Sequence, residues 1–467
     1  MQFANTVVIG SGPGGYVAAI RLAQLGVETT LIEKGPMGGV CLNWGCIPSK
    51  AYISAAKVVE HIESAGDIGI KVSHPEIDLA KMKDWKDGIV SRLTTGIRAL
   101  LTKAGVTIVE GRARLTGGSS LEIEGKNGKT TLAFANAILA TGSRSLEIPP
   151  FPYDGESVIS STEALDLTKI PKSLCVIGGG VIGLEIGMYL SAFGTQVTVV
   201  EMMDQILPGT DPDIVKALSR VLKKRGIKVM TSTRAKGFEK KGKELVVQVD
   251  DAKGKAQSIA CDKILVSVGR KPNSEDLGLE QAGVTLDERG FIRVDHQLRT
   301  SNPQIFAIGD VTGGALLAHK ASKEGLVAAS VIAGAEQEVY DVRAMPAAVF
   351  TDPEIAMVGL TEEAAKSAGH EIKVGRYPFT AHGKAMASRE TEGFIKIIAD
   401  AKDDRVLGVH IIGYGASDLI SEAALAIEMG ATSEDIALTV HPHPTMGETM
   451  MEAAEAVHGM AIHMFKS

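Results

Sequence analysis

The chain is poor in cysteine: four in 467 residues, at positions 41, 46, 175 and 261. A structural zinc site draws on four Cys or His ligands, usually as two closely spaced pairs. Only Cys41 and Cys46 are closely spaced, so zinc has no second pair. Cys175 lies inside the apolar run Leu174-Cys175-Val176-Ile177, and Cys261 just before Ile264-Leu265-Val266; both read as inert thiols in or beside strands. Basic charge is also short. A formal charge of −7 and a pI near 5.9 argue against electrostatic binding of nucleic acid. The lysine-rich run from Lys236 to Lys243 reads as a solvated hairpin. No uncharged apolar run approaches ~18 residues, which excludes an ordinary membrane-spanning helix. The first residues show no basic start, cleavable apolar stretch or Arg/Ser-rich transit segment, so the expectation is a cytoplasmic protein, or a matrix protein already processed.

What is present is ordinary globular composition, 45% hydrophobic and 22% charged, in a length that predicts two to four domains. The 52 glycines carry the main pattern. Thr6-Val7-Val8-Ile9 runs through Gly10, Gly12 and Gly15 into the helical pattern Tyr16 to Leu25, and returns through Gly26 to Thr29-Thr30-Leu31-Ile32-Glu33. This is strand, glycine turn, helix, strand and acid. The first glycine permits the tight turn, the second lets a pyrophosphate approach the backbone, and the third lets helix and strand pack closely; the acid accepts from a ribose. A second copy runs from Leu174 through Gly178, Gly180 and Gly183 to Thr198-Val199-Val200-Glu201, with the same glycine-to-acid separation. Gly26 matches Gly194, and Leu22 matches Leu190. A single such motif arises easily by chance; two in one register do not.

Two units imply two dinucleotides, and the thiols separate them. Cys41 and Cys46 follow the first acid closely, which places them by the first ligand's redox ring. A large chain gains little from stapling so short a loop, so the pair reads as redox chemistry. A nicotinamide must exchange, whereas a flavin can remain and trade electrons with a neighbouring disulfide. FAD is therefore assigned to the first unit and NAD to the second. Glu201, followed by Met202 and Met203 with no adjacent Arg, repels the 2′-phosphate of NADP. Ala137 to Ser143 and Ile264 to Gly269 each read as a buried strand ending in a glycine turn that closes one sheet. Ile305 to Asp310 is a third such strand; Asp310 suits a flavin's polyol chain or, more plainly, a helix N-cap.

These residues resemble the dihydrolipoamide dehydrogenases, flavin disulfide reductases, over nearly the whole chain. The resemblance rests on both glycine units, Gly38-Gly39-x-Cys41-Leu42-Asn43-x-Gly45-Cys46-Ile47-Pro48-Ser49-Lys50, Ala140-Thr141-Gly142-Ser143, Gly309-Asp310, Leu317-Ala318-His319-Lys320 and His441-x-His443-Pro444-Thr445. Trp44 departs from the pattern, standing where a smaller aliphatic residue is expected, and Pro442 separates the histidines. The resemblance implies an α/β fold of two Rossmann-like dinucleotide-binding domains plus a C-terminal α+β dimerisation domain. Its divisions fall at 1–148 (FAD), 149–271 (NAD), 272–342 (return to the FAD domain) and 343–467 (interface), with Pro149-Pro150-Phe151-Pro152 and Lys271-Pro272-Asn273 as linkers.

The resemblance also implies roles. Dihydrolipoamide, borne by the lipoyl groups of 2-oxoacid dehydrogenase or glycine-cleavage complexes, reduces the Cys41–Cys46 disulfide; Cys46 faces the flavin, and hydride passes to NAD. His443 is the base, because a free thiol with a pKa near ~8.5 needs help at neutral pH. Glu448 orients it, across a homodimer, whereas local pattern alone makes Glu448 the cap of a helix Thr449 to Val457. FAD contacts extend to Lys34, Lys50, Gly111, Thr141, Gly142, Ser143, Leu317, Ala318 and His319, and contacts near the nicotinamide to Glu185 and Gly269. Lys50 and Glu185 pair near the flavin. The side chains of His319, His441 and the other histidines read as structural. The same chemistry on glutathione, a related disulfide or mercuric ion is the alternative; Glu201 opposes the NADP-linked members, and the C-terminus lacks the cysteine pair a mercuric reductase uses. A binding subunit with a structural flavin and idle thiols is a further reading.

Overall fold

A computed structural model describes residues 2–242 and 244–465. The β-branched run of the first unit lies in strand Gln2–Ile9, and Pro13 opens helix Pro13–Gln24, where a missing N–H costs nothing. Gly26, at φ 79°, ends the helix in the left-handed conformation; the Val27 N–H donates to the Leu22 carbonyl, and strand Thr29–Glu33 follows. The second unit repeats each step with strand Ser173–Ile177, helix Val181–Ala192, Gly194 at φ 99°, a Thr195 N–H on the Leu190 carbonyl, and strand Gln196–Val200. One helix terminus has been built twice.

The first sheet runs Thr107–Glu110, Thr29–Glu33, Gln2–Ile9, Gly128–Leu139, Ser120–Gly125, Arg112–Gly117, with Ile305–Ala307 also paired to Gly128–Leu139. Its nucleotide-binding half is parallel and its far end an antiparallel meander. The second sheet, Lys228–Met230, Gln196–Val200, Ser173–Ile177, Lys263–Val266 and Val158–Ile159, is parallel throughout. Its meander, Arg234–Lys241, Glu244–Asp250 and Ala256–Cys261, stands apart as its own sheet. The lysine-rich run supplies the first strand of that meander, and Lys243 lies outside the described residues. The strands containing Ala137 and Ile264 pair directly with the two glycine-bearing strands rather than sealing the sheet edges.

Two sequence expectations change in the fold. Lys271 and Pro272 are not a free linker: Arg270–Pro272 pairs antiparallel with Ser143–Ser145, so the crossing segments satisfy each other's backbone groups. Cys175 and Cys261, unpaired in sequence, are brought together in one apolar cluster, where the neighbouring Cys261 thiol and, after it, burial push the Cys175 thiol up.

The C-terminal sheet is antiparallel, ordered Ala347–Val349, Ile355–Gly359, Val406–Ile412, Phe394–Asp400, Ile372–Pro378. Every residue of Phe394–Asp400 is buried, and helices Ala416–Met429 and Glu448–Val457 pack on this sheet. Leu425, Met429, Leu438 and Val440 remain exposed on this module. No described helix is long and apolar enough to cross a membrane.

Candidate active site

Both glycine turns and both closely spaced cysteines line one cavity of about 1670 Å³. That exceeds the roughly 300–1,000 Å³ typical of a site for one small ligand, as two dinucleotides require. Gly10 and Gly178 adopt φ 103° and 105°, and a Cβ on them would strike the carbonyls of Ala140 and Ser267 at 2.3 and 2.6 Å. A Cβ on Gly15 or Gly183 would lie 1.9 or 2.5 Å from the carbonyl of the first glycine of its own turn, so those two glycines serve packing and stand off the cavity wall. Gly12 and Gly180 cap the two helices and have no atom within 4 Å of a Cβ; the bare surface there opens into the cavity. A diphosphate fits against exposed N–H groups at a helix N-terminus.

The acids are placed alike. Glu33 Oε2 accepts from the N–H and hydroxyl of Ser11, both at 2.7 Å, and Oε1 from the Gly35 N–H at 2.8 Å. Glu201 Oε2 accepts from the Gly179 N–H at 2.7 Å and Oε1 from the Met203 N–H at 2.8 Å. Both carboxylates line the cavity and retain free lone pairs for a ribose. Sequence adjacency gave Glu201 no arginine, yet Arg234 reaches the same wall from the meander.

Cys41 lies on helix Gly39–Trp44, and Cys46 opens helix Cys46–Ser64, whose N-terminal field favours a thiolate. The thiols stand as a hydrogen-bonded pair. The bond from Cys41, opposed by burial and aided by the charge of Lys50, lowers the Cys46 thiol to about 7. That same bond, together with burial, pushes the Cys41 thiol well above its ordinary value. Trp44 lines the cavity beside them and is exposed. One turn on, Lys50 Nζ contacts both oxygens of Glu185, at 2.9 and 3.1 Å. Glu185 also accepts from the Phe350 N–H at 2.8 Å, and Lys50 lies 4.3 Å from the centre of the Phe350 ring.

Lys34, Gly111, Thr141, Gly142, Ser143, Gly269, Asp310, Leu317 and Ala318 also line the cavity. Asp310 is within a short 3-10 turn rather than a side-chain cap, and accepts from the Ser143 hydroxyl. Arg270 was not singled out in the sequence; it donates to the Ser143 hydroxyl and carbonyl at 2.7 and 2.8 Å and lies 3.8 Å from Asp310. Its only local signal is its place immediately after Gly269. His319 stands off the cavity, its ring bonded to the Pro346 carbonyl at 2.7 Å. His443 and Glu448 are likewise away from it. His443 Nδ1 is 2.8 Å from Glu448 Oε1, while Glu448 Oε2 accepts from the Thr445 N–H at 2.8 Å, so one carboxylate meets both the imidazole and the backbone. The Thr445 hydroxyl turns to the Pro442 carbonyl, which leaves the capping box half built. His441 is held by Thr439 and Glu422. Among the described residues no cluster of three or more His, Cys, Asp or Glu is placed to hold a metal.

A fold of paired dinucleotide units around a thiol pair defines a pyridine nucleotide-disulphide oxidoreductase; the description of that family matches residues 4–325, and that of its dimerisation domain residues 345–454. Dihydrolipoyl dehydrogenases of Thermus scotoductus and Geobacillus stearothermophilus are 49% and 48% identical to the chain, over 99% of it and 99% of the first, and 98% of it and 97% of the second. That of Bacillus subtilis is 47% identical over 99% of this chain and 98% of its own. Two solved structures share the fold at lower identity. LpdA of Mycobacterium tuberculosis has a TM-score of 0.90 at 28% identity, covering 97% of this chain and 99% of that one. RclA of Escherichia coli, a HOCl-induced flavoprotein disulfide reductase, has 0.87 at 27%, with the same coverage. The chain belongs to the pyridine nucleotide-disulphide oxidoreductases and, within them, to the dihydrolipoyl dehydrogenases, NAD-dependent flavoenzymes that use FAD.

Proposed function

We propose that this chain reoxidises dihydrolipoamide through the Cys41–Cys46 couple, and the observation that carries the reading is that both thiols line the same cavity as both glycine turns. FAD and NAD, when bound, supply the redox chemistry that takes the electron pair from the dithiol and releases it as NADH. The first glycine turn, with Gly10 and Gly12, and Glu33 would hold FAD; Gly178, Gly180 and Glu201 would hold NAD; Ser143, Asp310 and Arg270 would serve the polyol chain. His443, oriented by Glu448, takes a proton from the substrate dithiol, and the resulting thiolate attacks the Cys41 sulfur of the disulfide. Cys46 leaves as thiolate. The second substrate thiol then displaces Cys41, which takes up the proton, and lipoamide departs. A thiol whose pKa is lowered to about 7 is a good leaving group, and a raised thiol keeps its proton, so the two shifts run in the directions this sequence of steps needs.

His443 is 80% exposed and away from its own cavity, which supports a base acting on the thiol pair of a partner subunit. The dimerisation domain supports a homodimer. We divide the chain at 1–148, 149–271, 272–342 and 343–467, supported by Ile305–Ala307 returning to the first sheet. The lipoyl carriers are those of 2-oxoacid dehydrogenase or glycine-cleavage complexes, and the compartment is the cytoplasm.

Anaerobic titration of the FAD-loaded dimer with dihydrolipoamide tests this. A long-wavelength band at two electrons, and NADH on adding NAD⁺, are expected. Both vanish in Cys46→Ser. Turnover of glutathione disulfide in place of dihydrolipoamide would move the enzyme to another branch of the family.

A further inference from the structure

Outside the cavity, one buried histidine meets the loop that carries His443. His382 is 7% exposed, follows the short turn Phe379–Ala381 and opens helix Gly383–Ser388; its N–H donates to the Phe379 carbonyl, and its carbonyl accepts from the Met386 N–H. The backbone is thus fixed on both sides. Its ring lies edge-on to Tyr377, with centroids 6.2 Å apart at 76°, and Tyr377 is wholly buried. Nε2 lies 2.8 Å from the Thr445 carbonyl and 3.8 Å from Glu448 Oε2. A carbonyl only accepts, so Nε2 carries the proton and donates.

The backbone of Thr445 is therefore held at both of its polar groups, the N–H by Glu448 and the carbonyl by His382. The same carboxylate takes His443 on its other oxygen. Movement at Thr445 would loosen Glu448, and with it the imidazole ring. An orienting group that strays by an ångström costs heavily in rate.

We propose that His382 is a positioning residue for His443, holding the Thr445 peptide and presenting a second imidazole to the Glu448 carboxylate. The inference rests on the reading of His443 as the base. A buried histidine that merely fills space would be replaced well by phenylalanine, which keeps the ring and drops the donor. Glutamine keeps a donor and drops the ring.

His382→Phe, His382→Gln and His443→Gln, each as the FAD-loaded dimer, are compared with the unchanged enzyme. Dihydrolipoamide:NAD⁺ turnover is measured across pH, alongside NADH oxidation by ferricyanide, which bypasses the dithiol base. In His382→Phe, kcat with dihydrolipoamide falls about tenfold, KM stays within about twofold, and the acid limb of the kcat–pH profile moves. Ferricyanide reduction is unchanged, and His382→Gln recovers most of the loss. A His382→Phe enzyme with the original kcat and profile overturns the proposal. Proportional loss of both activities, with no recovery in His382→Gln, overturns it too, because that is a packing defect. His443→Gln separates the layers: if it keeps dithiol turnover, the reading of the base fails; if it is inactive while His382→Phe is normal, only the role of His382 fails.

Discussion

Glu33 and Glu201 occupy the same place in two copies of one unit, each with an oxygen 2.7 Å from the N–H of the residue after its first turn glycine. The copies differ in what surrounds the acid. Ser11 adds a hydroxyl to Glu33, whereas the wall near Glu201 contains Arg234.

That difference bears on cofactor choice. Removing the carboxylate with Glu201→Ala deletes charged hydrogen bonds to the ribose and the repulsion of a 2′-phosphate, while Arg234 stays. KM for NAD⁺ should rise about tenfold, and NADP⁺ should become a measurable substrate. Steady-state kinetics with both nucleotides check this; NAD⁺ kinetics unchanged from the original would deny Glu201 the ribose.

The glycines of the first turn separate stability from binding. In Gly15→Ala the new Cβ falls 1.9 Å from the Gly10 carbonyl, so helix and strand must part, at a cost on the order of 3 kcal/mol even without FAD. In Gly12→Ala it meets no atom within 4 Å, so the FAD-free protein should unfold as before while FAD binds more weakly. Thermal melts of apo and reconstituted proteins distinguish the two. Equal apo destabilisation in both variants would contradict the assignment.

The turns were legible because backbone geometry demands glycine at fixed spacing, and that demand is written locally. Cys41 and Cys46 were legible for a similar reason, being close together just after the first acid, whereas Lys50 and its partner Glu185 came only through the family resemblance. Arg270, Arg234 and His382 were not legible. Arg270 meets Ser143 only because two distant strands pair, and His382 meets Thr445 across 63 residues. Cys175 and Cys261 show the same limit: each looked like an isolated core thiol until the meander folded beside its parent sheet. Glu448 was ambiguous for another reason. Two readings competed for one carboxylate, and its two oxygens divide the roles.

The thiol asymmetry sets a pH dependence. Cys46 is lowered to about 7, so in the reduced enzyme it is a thiol below that pH and a thiolate above it. The long-wavelength band should therefore grow as pH rises through about 7. Lys50 helps lower this thiol, so Lys50→Met should shift the same rise to higher pH and leave Glu185 with only the Phe350 N–H. Absorbance titrations of the reduced enzymes measure both midpoints; an identical midpoint in Lys50→Met would show that its charge does not reach the sulfur.

The helix that begins at Cys46 is anchored farther along by charge. Arg225, at the end of helix Pro212–Lys224, bridges Glu60 on the redox helix and Asp352 in the C-terminal module. Burial, and a hydrogen bond shared with Asp352, push the Glu60 carboxyl up to about 7, while Asp352 is held below its ordinary value. The signs are opposite. A raised acid favours the fold while protonated, a contribution complete at low pH and lost as pH rises through about 7. The lowered Asp352 acts only well below that range. Between about pH 4.5, where the unfolded carboxyl ionises, and about pH 7 the melting temperature should therefore fall and then level off, and in Glu60→Gln, which cannot ionise, that fall should flatten. Arg225→Met should destabilise at every pH in that window, by about 3 kcal/mol, because it strands a buried carboxylate. Melts of the three proteins across the window decide it: a Glu60→Gln curve parallel to the original would assign the titration to another group.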